Sequence, residues 1–199
     1  MNSVTKMRTL VTRLHRGRER QDGTPDSVHV KRVAAILTAA LKEAGETPPP
    51  KKLATLQCAA LGHDLLEDTK ATPEEIVRIA GEEALALIEQ LTNRWGDDHP
   101  APYVRQVRNA PEEARLVKLA DLCDNLSQAS MNAAGLGSAW MKGYFLPIVD
   151  PSRKAVSSTH FSKYPKTARI LITSAALARA HLTESLANLR GKNWLGAKV

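Results

Sequence analysis

Cysteine is nearly absent: two thiols, Cys58 and Cys123, stand in a chain of 199 residues, too few for a disulfide framework. There is no charged-then-apolar leader and no apolar run approaching about 18 residues, so the reading contains neither a signal segment nor a membrane-spanning helix. A cytoplasmic setting with both thiols free is expected. Aromatic residues are also scarce, at three Trp, three Tyr and two Phe, which disfavours a sandwich of aromatic and β-branched strands. No internal repeat and no low-complexity linker is seen, so a second domain finds little support. What is present is 43% hydrophobic and 25% charged, rich in Ala and Leu, and sufficient for one domain with its own core. This inventory suits close helix packing, and an all-α fold is expected.

The net charge of +7 is unevenly placed. Residues 1–20 carry six basic side chains against Glu19 alone, and residues 152–199 carry nine against Glu184 alone. Between them, residues 21–151 hold 13 Lys and Arg against 19 Asp and Glu. Basic ends around an acidic middle could meet nucleic acid, an anionic membrane surface or a polyphosphate substrate, or be only a solvated surface.

Apolar periodicity divides the chain into helices. Val4, Met7, Leu10, Val11 and Leu14 recur at helical spacing over residues 3–16. Ser27 is read as the cap of a second helix bearing Val30, Val33, Ala34, Leu37 and Leu41, with Gly45 as its stop. A third helix is read from about Lys51 to Asp68, after Pro48-Pro49-Pro50. Thr72-Pro73-Glu74-Glu75 has the form of a capping box opening a fourth, interrupted by Gly81 and resumed at Leu85, Ile88 and Leu91. A loop at 96–100, a short helix from Tyr103 to Arg108, and a long helix from Pro111 to about Ser130 follow. Residues 133–150 give no clear pattern. Pro165 can begin a long helix ending near Arg190-Gly191.

The chemistry concentrates at His63-Asp64-Leu65-Leu66-Glu67-Asp68. On a continuous helix, His63 would sit over Glu67 and Asp64 over Asp68, joining four ionisable groups in one patch at the end of an almost uncharged segment. Burying three carboxylates and an imidazole uncompensated costs several kcal/mol, and a cation resolves the conflict. Imidazole and carboxylate ligands suit a first-row divalent metal with open water positions. Two other segments offer ligands. The helix at 111–130 puts Lys118, Asp121 and Asn125 on one face, and His29 stands near the start of the second helix between Val28 and Val30.

The order His29, then His63-Asp64, then Asp121 resembles the HD superfamily of metal-dependent phosphohydrolases. Leu61-Gly62-His63-Asp64-Leu65-Leu66-Glu67-Asp68-Thr69, Thr72-Pro73-Glu74-Glu75-Ile76 and Val117-Lys118-Leu119-Ala120-Asp121 with Asn125 resemble the hydrolase domain of the RelA/SpoT family, including its small alarmone hydrolases. His15-x-Gly17-x-x-Arg20-x-x-Gly23-x-Pro25-x-x-x-His29 is similar to that family's opening motif. The resemblance covers roughly residues 10–130. It departs from the family pattern at Asp26, where an aromatic is usual, and at Val30, where proline is usual. The 34-residue interval from His29 to His63 is also long, which implies an enlarged loop near the pocket.

The resemblance implies a single all-helical HD domain over residues 1–199, with its motifs in a core of about 10–130 and a C-terminal helical extension over about 131–199. It implies that His29, His63, Asp64 and Asp121 hold one divalent metal, usually manganese in the family. Glu67 and Asp68 match the acidic pair that handles the attacking water, Arg20 the arginine that stacks on the purine, and Asn125 a nucleotide-contacting asparagine. Lys118, with Arg16, Arg18 and Arg20, is a candidate for holding distal phosphates. The implied reaction removes pyrophosphate from the 3′ position of guanosine tetra- or pentaphosphate, leaving GDP or GTP. Other nucleotides remain open at this point: the adenosine analogue, the 2′-phosphate of NADPH, or a nucleoside monophosphate. So does a regulatory nucleic-acid-binding protein with a vestigial metal site. The expected partner is a small nucleotide, with neither membrane nor nucleic acid. The 69 residues after Ser130 leave no room for a synthetase domain, so hydrolysis alone is expected. His15 reads as a support for the loop entrance, and Cys58 and Cys123 as inert buried thiols.

Overall fold

A computed structural model describes residues 1–96 and 100–195, with side chains through residue 189. The first helix, α1 (Ser3–Leu14), is capped by the Asn2 side chain, which accepts from the Thr5 amide at 2.9 Å. It ends two residues before the expected stop, because Gly17 takes a positive φ of 75° and turns the chain into the loop that follows. That loop is held by backbone bonds that include Arg20 N–H to Thr24 O at 2.9 Å, Gly23 N–H to Arg20 O at 2.9 Å and Asp26 N–H to Arg18 O at 3.2 Å.

The second helix, α2 (Asp26–Glu43), starts two residues earlier than the Ser27 cap predicted. Pro25 precedes it, and Asp26 supplies the first-turn negative charge in place of a side-chain cap. The expected third helix is two: α3 (Pro50–Gly62) and the single turn α4 (Leu65–Asp68), separated at His63 and Asp64. The expected fourth is α5 (Pro73–Ala80) and α6 (Glu82–Leu91), parted at Gly81 as the sequence indicated. The Thr72 hydroxyl accepts from the Glu75 amide at 3.3 Å. The Glu75 carboxylate, however, pairs with Arg13 at 2.6 Å.

Residues 97–99 of the expected loop lie outside the described residues, and α7 (Pro100–Asn109) begins directly after them. The long α8 (Glu112–Met131) packs against α2, α3, α6, α7 and the C-terminal helices, and most of its length is buried. The unpatterned stretch proves helical. It comprises α9 (Ala133–Leu136), α10 (Ser138–Trp140), a π-helical turn over Met141–Phe145, and α11 (Leu146–Ser157), which carries Pro151 inside it. Gly137, with φ of 80°, breaks α9 from α10, and the widened turn removes the 3.6-residue repeat that sequence reading depends on.

The last helix, α12 (Pro165–Leu195), runs past the expected stop at Arg190-Gly191. Its start is fixed by two acids from elsewhere in the fold. Glu46 accepts from the Lys166 and Thr167 amides at 3.0 and 2.8 Å, and buried Glu112 accepts from the Ser162, Lys163 and Tyr164 amides at 2.7–2.9 Å. Glu112→Ala strands three amides, the Tyr164 one buried and the other two part-buried, so a stability loss of roughly 1–3 kcal/mol is expected in urea unfolding. The hydrophobic cluster is continuous from Met7 on α1 to Leu186 on α12, with Leu116, Leu119, Leu122 and Leu126 of α8 fully or almost fully buried in it. No described helix is long and apolar enough to cross a membrane, and the described residues contain no strand, only a single bridge between Glu19 and Pro25.

Candidate metal centre and adjoining cleft

The break between α3 and α4 builds the site. On an unbroken helix, adjacent side chains diverge by about 100°, but His63 and Asp64 sit in a turn, and His63 Nε2 lies 3.1 Å from Asp64 Oδ1. The expectation of one helix from 51 to 68 is corrected here: His63 is not stacked over Glu67 within a continuous helix. Just before the turn, an added Cβ on Gly62 would lie 2.8 Å from Ile88 Cδ1, so α3 and α6 approach closely at the point where α3 ends.

Four of the predicted residues converge. His29 Nε2 lies 3.6 Å from Asp64 Oδ2 and 3.2 Å from Asp121 Oδ1, and His63 Nε2 lies 3.6 Å from the same Asp121 oxygen. His29, His63 and Asp64 offer ligand atoms all within 4.8 Å of one another. His29, His63 and Asp121 are buried, whereas the Asp64 side chain keeps 27% of its surface. Both imidazoles are tied at Nδ1, His63 to the Ala60 carbonyl at 2.9 Å and His29 to Asp124 at 2.7 Å, so both turn Nε2 to the centre. His63 Nε2 is buried without a hydrogen-bond partner. An orphaned imidazole nitrogen facing carboxylates fits a divalent cation, and this donor set can hold one.

Asp121 is tied by two further side chains. Lys118 Nζ bonds its Oδ2 at 2.8 Å and Asn125 Nδ2 its Oδ1 at 2.7 Å. Burial opposes its charge, yet the Lys118 ammonium and the two imidazoles hold its carboxyl well below the usual carboxylate range. Burial also opposes the charge on Lys118, and Asp121 holds the ammonium well above its ordinary value, with Tyr103 packed under it at 5.1 Å. Burial works against protonating His63 as well, but Asp64 and Asp121 push the imidazole up to about 9. Below that pH a cation must displace the His63 proton. Apparent metal affinity is therefore expected to rise by about tenfold per pH unit toward pH 9 and flatten above it. Calorimetry at pH 7.5 in buffers of differing ionisation enthalpy should register on the order of one proton released.

Of the acidic pair, only Glu67 reaches the same small cavity of about 160 Å³ as His29, Asp64, Lys118 and Asp121. Its Oε2 accepts from the Asn93 amide at 2.8 Å. Asp68 faces the adjoining cavity and accepts from Arg18 at 3.1 Å. Partial desolvation, with the Asp64 charge close by, pushes the Glu67 carboxyl up to about 7 and the Asp68 carboxyl up to about 6.

The adjoining cavity, of about 380 Å³, shares Arg20 and Asn125 with the first. Arg20 donates to the Asn125 carbonyl oxygen, so the two predicted nucleotide contacts form one unit at the junction. The far wall is aromatic: Trp140 stacks on Phe145 at 5.5 Å between centroids and lies 5.8 Å from Tyr144. Arg18 is engaged by Asp26 as well as Asp68, and Arg16 is exposed.

Sequence reasoning missed Asp124, Arg32, Asn93 and the aromatic wall. Asp124 was detectable as the residue three after Asp121, one helical turn along the same face. The wall was not, because it spans the end of α10 and the π-helical turn. His15 is buried with neither ring nitrogen partnered, and desolvation lowers its pKa. Cys58 and Cys123 are free and buried, with the Cys123 thiol pushed up to about 12, mainly by burial.

The HD domain model matches residues 27–126, the stretch that carries His29, His63, Asp64 and Asp121. Curated relatives include the guanosine-3′,5′-bis(diphosphate) 3′-pyrophosphohydrolase MESH1 of Homo sapiens, 41% identical over 123 residues, covering 57% of this chain and 62% of that protein. The protein of the same name from Drosophila melanogaster is 31% identical over 125 residues, covering 59% of this chain and 64% of that one. The match thus spans somewhat less than two thirds of these relatives' length. A solved structure described as a metazoan ortholog of SpoT that hydrolyzes ppGpp superposes with a TM-score of 0.61 at 22% identity, over 94% of this chain and 96% of that one. That likeness establishes the fold, and with the family model matching half of its length, the chain belongs to the HD domain family.

Proposed function

We propose that this protein is a metal-dependent nucleotide pyrophosphohydrolase that releases pyrophosphate from the 3′ position of guanosine tetra- or pentaphosphate. The observation that carries the reading is the small cavity lined by His29, Asp64 and Asp121, behind which the buried, unpartnered His63 Nε2 lies 3.1 Å from Asp64, and which joins a larger aromatic-walled cavity through Arg20 and Asn125. Relatives named for the same reaction support it.

His29, His63, Asp64 and Asp121 would hold the metal, with manganese as the proposed ion. A divalent cation there supplies Lewis acidity toward a phosphate and makes water a stronger nucleophile at neutral pH. Glu67, oriented by the Asn93 amide, takes the proton of the attacking water, and Asp68 across the junction shares that task. Arg20 and Trp140 bracket the purine, Asn125 orients the sugar side, and Lys118 keeps Asp121 ionised while facing the phosphates. The chain, residues 1–199, acts as a single catalytic domain, a reading supported by the continuous core, in a cytoplasmic setting suited to two free thiols.

Product analysis tests the reading. Manganese-loaded protein is given guanosine tetraphosphate, its adenosine analogue, NADPH and nucleoside monophosphates. GDP and pyrophosphate from the first are expected. Turnover of NADPH or a monophosphate in its place would keep the metal centre and overturn the substrate.

A further inference from the structure

Two pairs of residues, each three apart, face one another where α2 docks on α8: His29 with Arg32, and Asp121 with Asp124. His29 lies between the two acids. Its Nε2 is 3.2 Å from Asp121, and its Nδ1 is 2.7 Å from Asp124 Oδ2. Arg32 clamps the far side of Asp124, with Nε to Oδ1 at 2.6 Å and a terminal nitrogen to Oδ2 at 3.0 Å. The Asp124 side chain is 3% exposed and makes no contact with the cleft, so it belongs neither to the ligand set nor to the substrate surface.

We propose that Asp124, pinned by Arg32, is a positioning residue that fixes His29 as the Nδ1–H tautomer with Nε2 bare toward the metal. This rests on the metal reading of the site. The second imidazole shows how specific the arrangement is: His63 Nδ1 is held by a neutral carbonyl of its own helix, whereas His29 is held by a charged group brought in from another helix. A carboxylate offers only acceptors, so a proton on Nδ1 is the one arrangement that satisfies it, and Nε2 keeps its lone pair. The charged partner also makes the imidazole a stronger donor than His63. The Arg32 fork removes the freedom of the Asp124 carboxylate to rotate away, because both of its oxygens are engaged.

An amide in place of this carboxylate cannot satisfy all three donors. Either orientation of the amide sets its NH₂ against an Arg32 N–H, and one orientation also donates to His29 Nδ1, forcing the proton onto Nε2 and closing the ligand position. The test measures manganese dissociation constants by calorimetry for the full chain and for D124N. It also follows the His29 Nδ1–H proton resonance in the zinc-loaded, diamagnetic protein. D124N is expected to bind manganese roughly 10- to 100-fold more weakly and to lose the slowly exchanging Nδ1–H signal; its metal-free form melts lower because a buried pair is broken, so affinity is read well below that melt, where the variant is folded. Arg32→Gln, which keeps the carboxylate but frees it to rotate, is expected to show a smaller loss with the signal retained but exchanging faster. Affinity of D124N within twofold of the parent, or an unchanged His29 resonance, overturns the assignment. Failure of the parent chain itself to bind manganese overturns the metal reading beneath it.

Discussion

Asp64→Asn is expected to abolish metal-dependent hydrolysis while leaving the fold intact. Asp64 is the most solvent-accessible of the four converging groups, and its carboxylate lies 3.1 and 3.6 Å from the two imidazoles. Removing its charge strips the cation site of an anionic ligand worth about 4 kcal/mol of transition-state stabilisation, roughly a thousandfold in rate. It also relieves the like-charge pressure on Glu67 and Asp68, so the melting temperature of the metal-free protein should hold or rise slightly. Asp121→Asn should behave differently, although it stands in the same ligand set. Asp121 is the counter-ion of a largely buried Lys118, and breaking a buried pair from one side costs about 3–5 kcal/mol. Activity assays combined with thermal melts of the two variants separate the roles: both inactive, only Asp121→Asn markedly destabilised. Equal destabilisation by the two would contradict the placement of Asp64 at the open edge.

Glu67→Gln is expected to lower kcat by about 10²- to 10⁴-fold with manganese affinity unchanged, the range seen when a positioned proton acceptor is removed. The geometry supports this role. Glu67 shares the small cavity with the converging ligands, and the Asn93 amide fixes one of its oxygens at 2.8 Å. A carboxyl pushed up to about 7 is also better matched to accepting a proton near neutrality than an ordinary glutamate. The sign of the pH dependence follows. Activity should fall as pH drops through the range where Glu67 and Asp68 take up protons, and Glu67→Gln should remove the Glu67 part of that limb. Asp68→Asn should cost less, because Asp68 faces the adjoining cavity and is paired with Arg18. A variant that lost manganese binding in step with kcat would make Glu67 a ligand rather than a proton acceptor.

Much of this site is legible in the sequence because its parts are local and chemical. The run His63-Asp64 with Glu67 and Asp68, the i, i+4 pair Asp121 and Asn125, and His29 amid apolar neighbours each announce an interior ionisable group that needs a partner. What the pattern cannot announce is a departure from regular geometry. The turn at His63-Asp64, which brings the two side chains within 3.1 Å, follows a segment whose only local marks are Gly62 and its close packing on Ile88, a tertiary contact. Ser27 was an acceptable cap by propensity but lost to Pro25-Asp26, which is held in register by the backbone bond from Asp26 to Arg18. The aromatic wall was hidden because the π-helical turn and Gly137 erase the repeat on which helix reading depends. Asp124 was visible as a second acid one turn beyond Asp121, and Arg32 only as a charge on a helix face. Their meaning depends on how α2 docks against α8, which no local pattern encodes.

The most direct test of the metal centre is anomalous diffraction from crystals of the full chain grown with manganese. A single peak is predicted within bonding distance of His29 Nε2, His63 Nε2, Asp64 and Asp121, absent in Asp64→Asn crystals treated identically. An ion bound elsewhere, or an active protein with no ion at this position, would contradict the account.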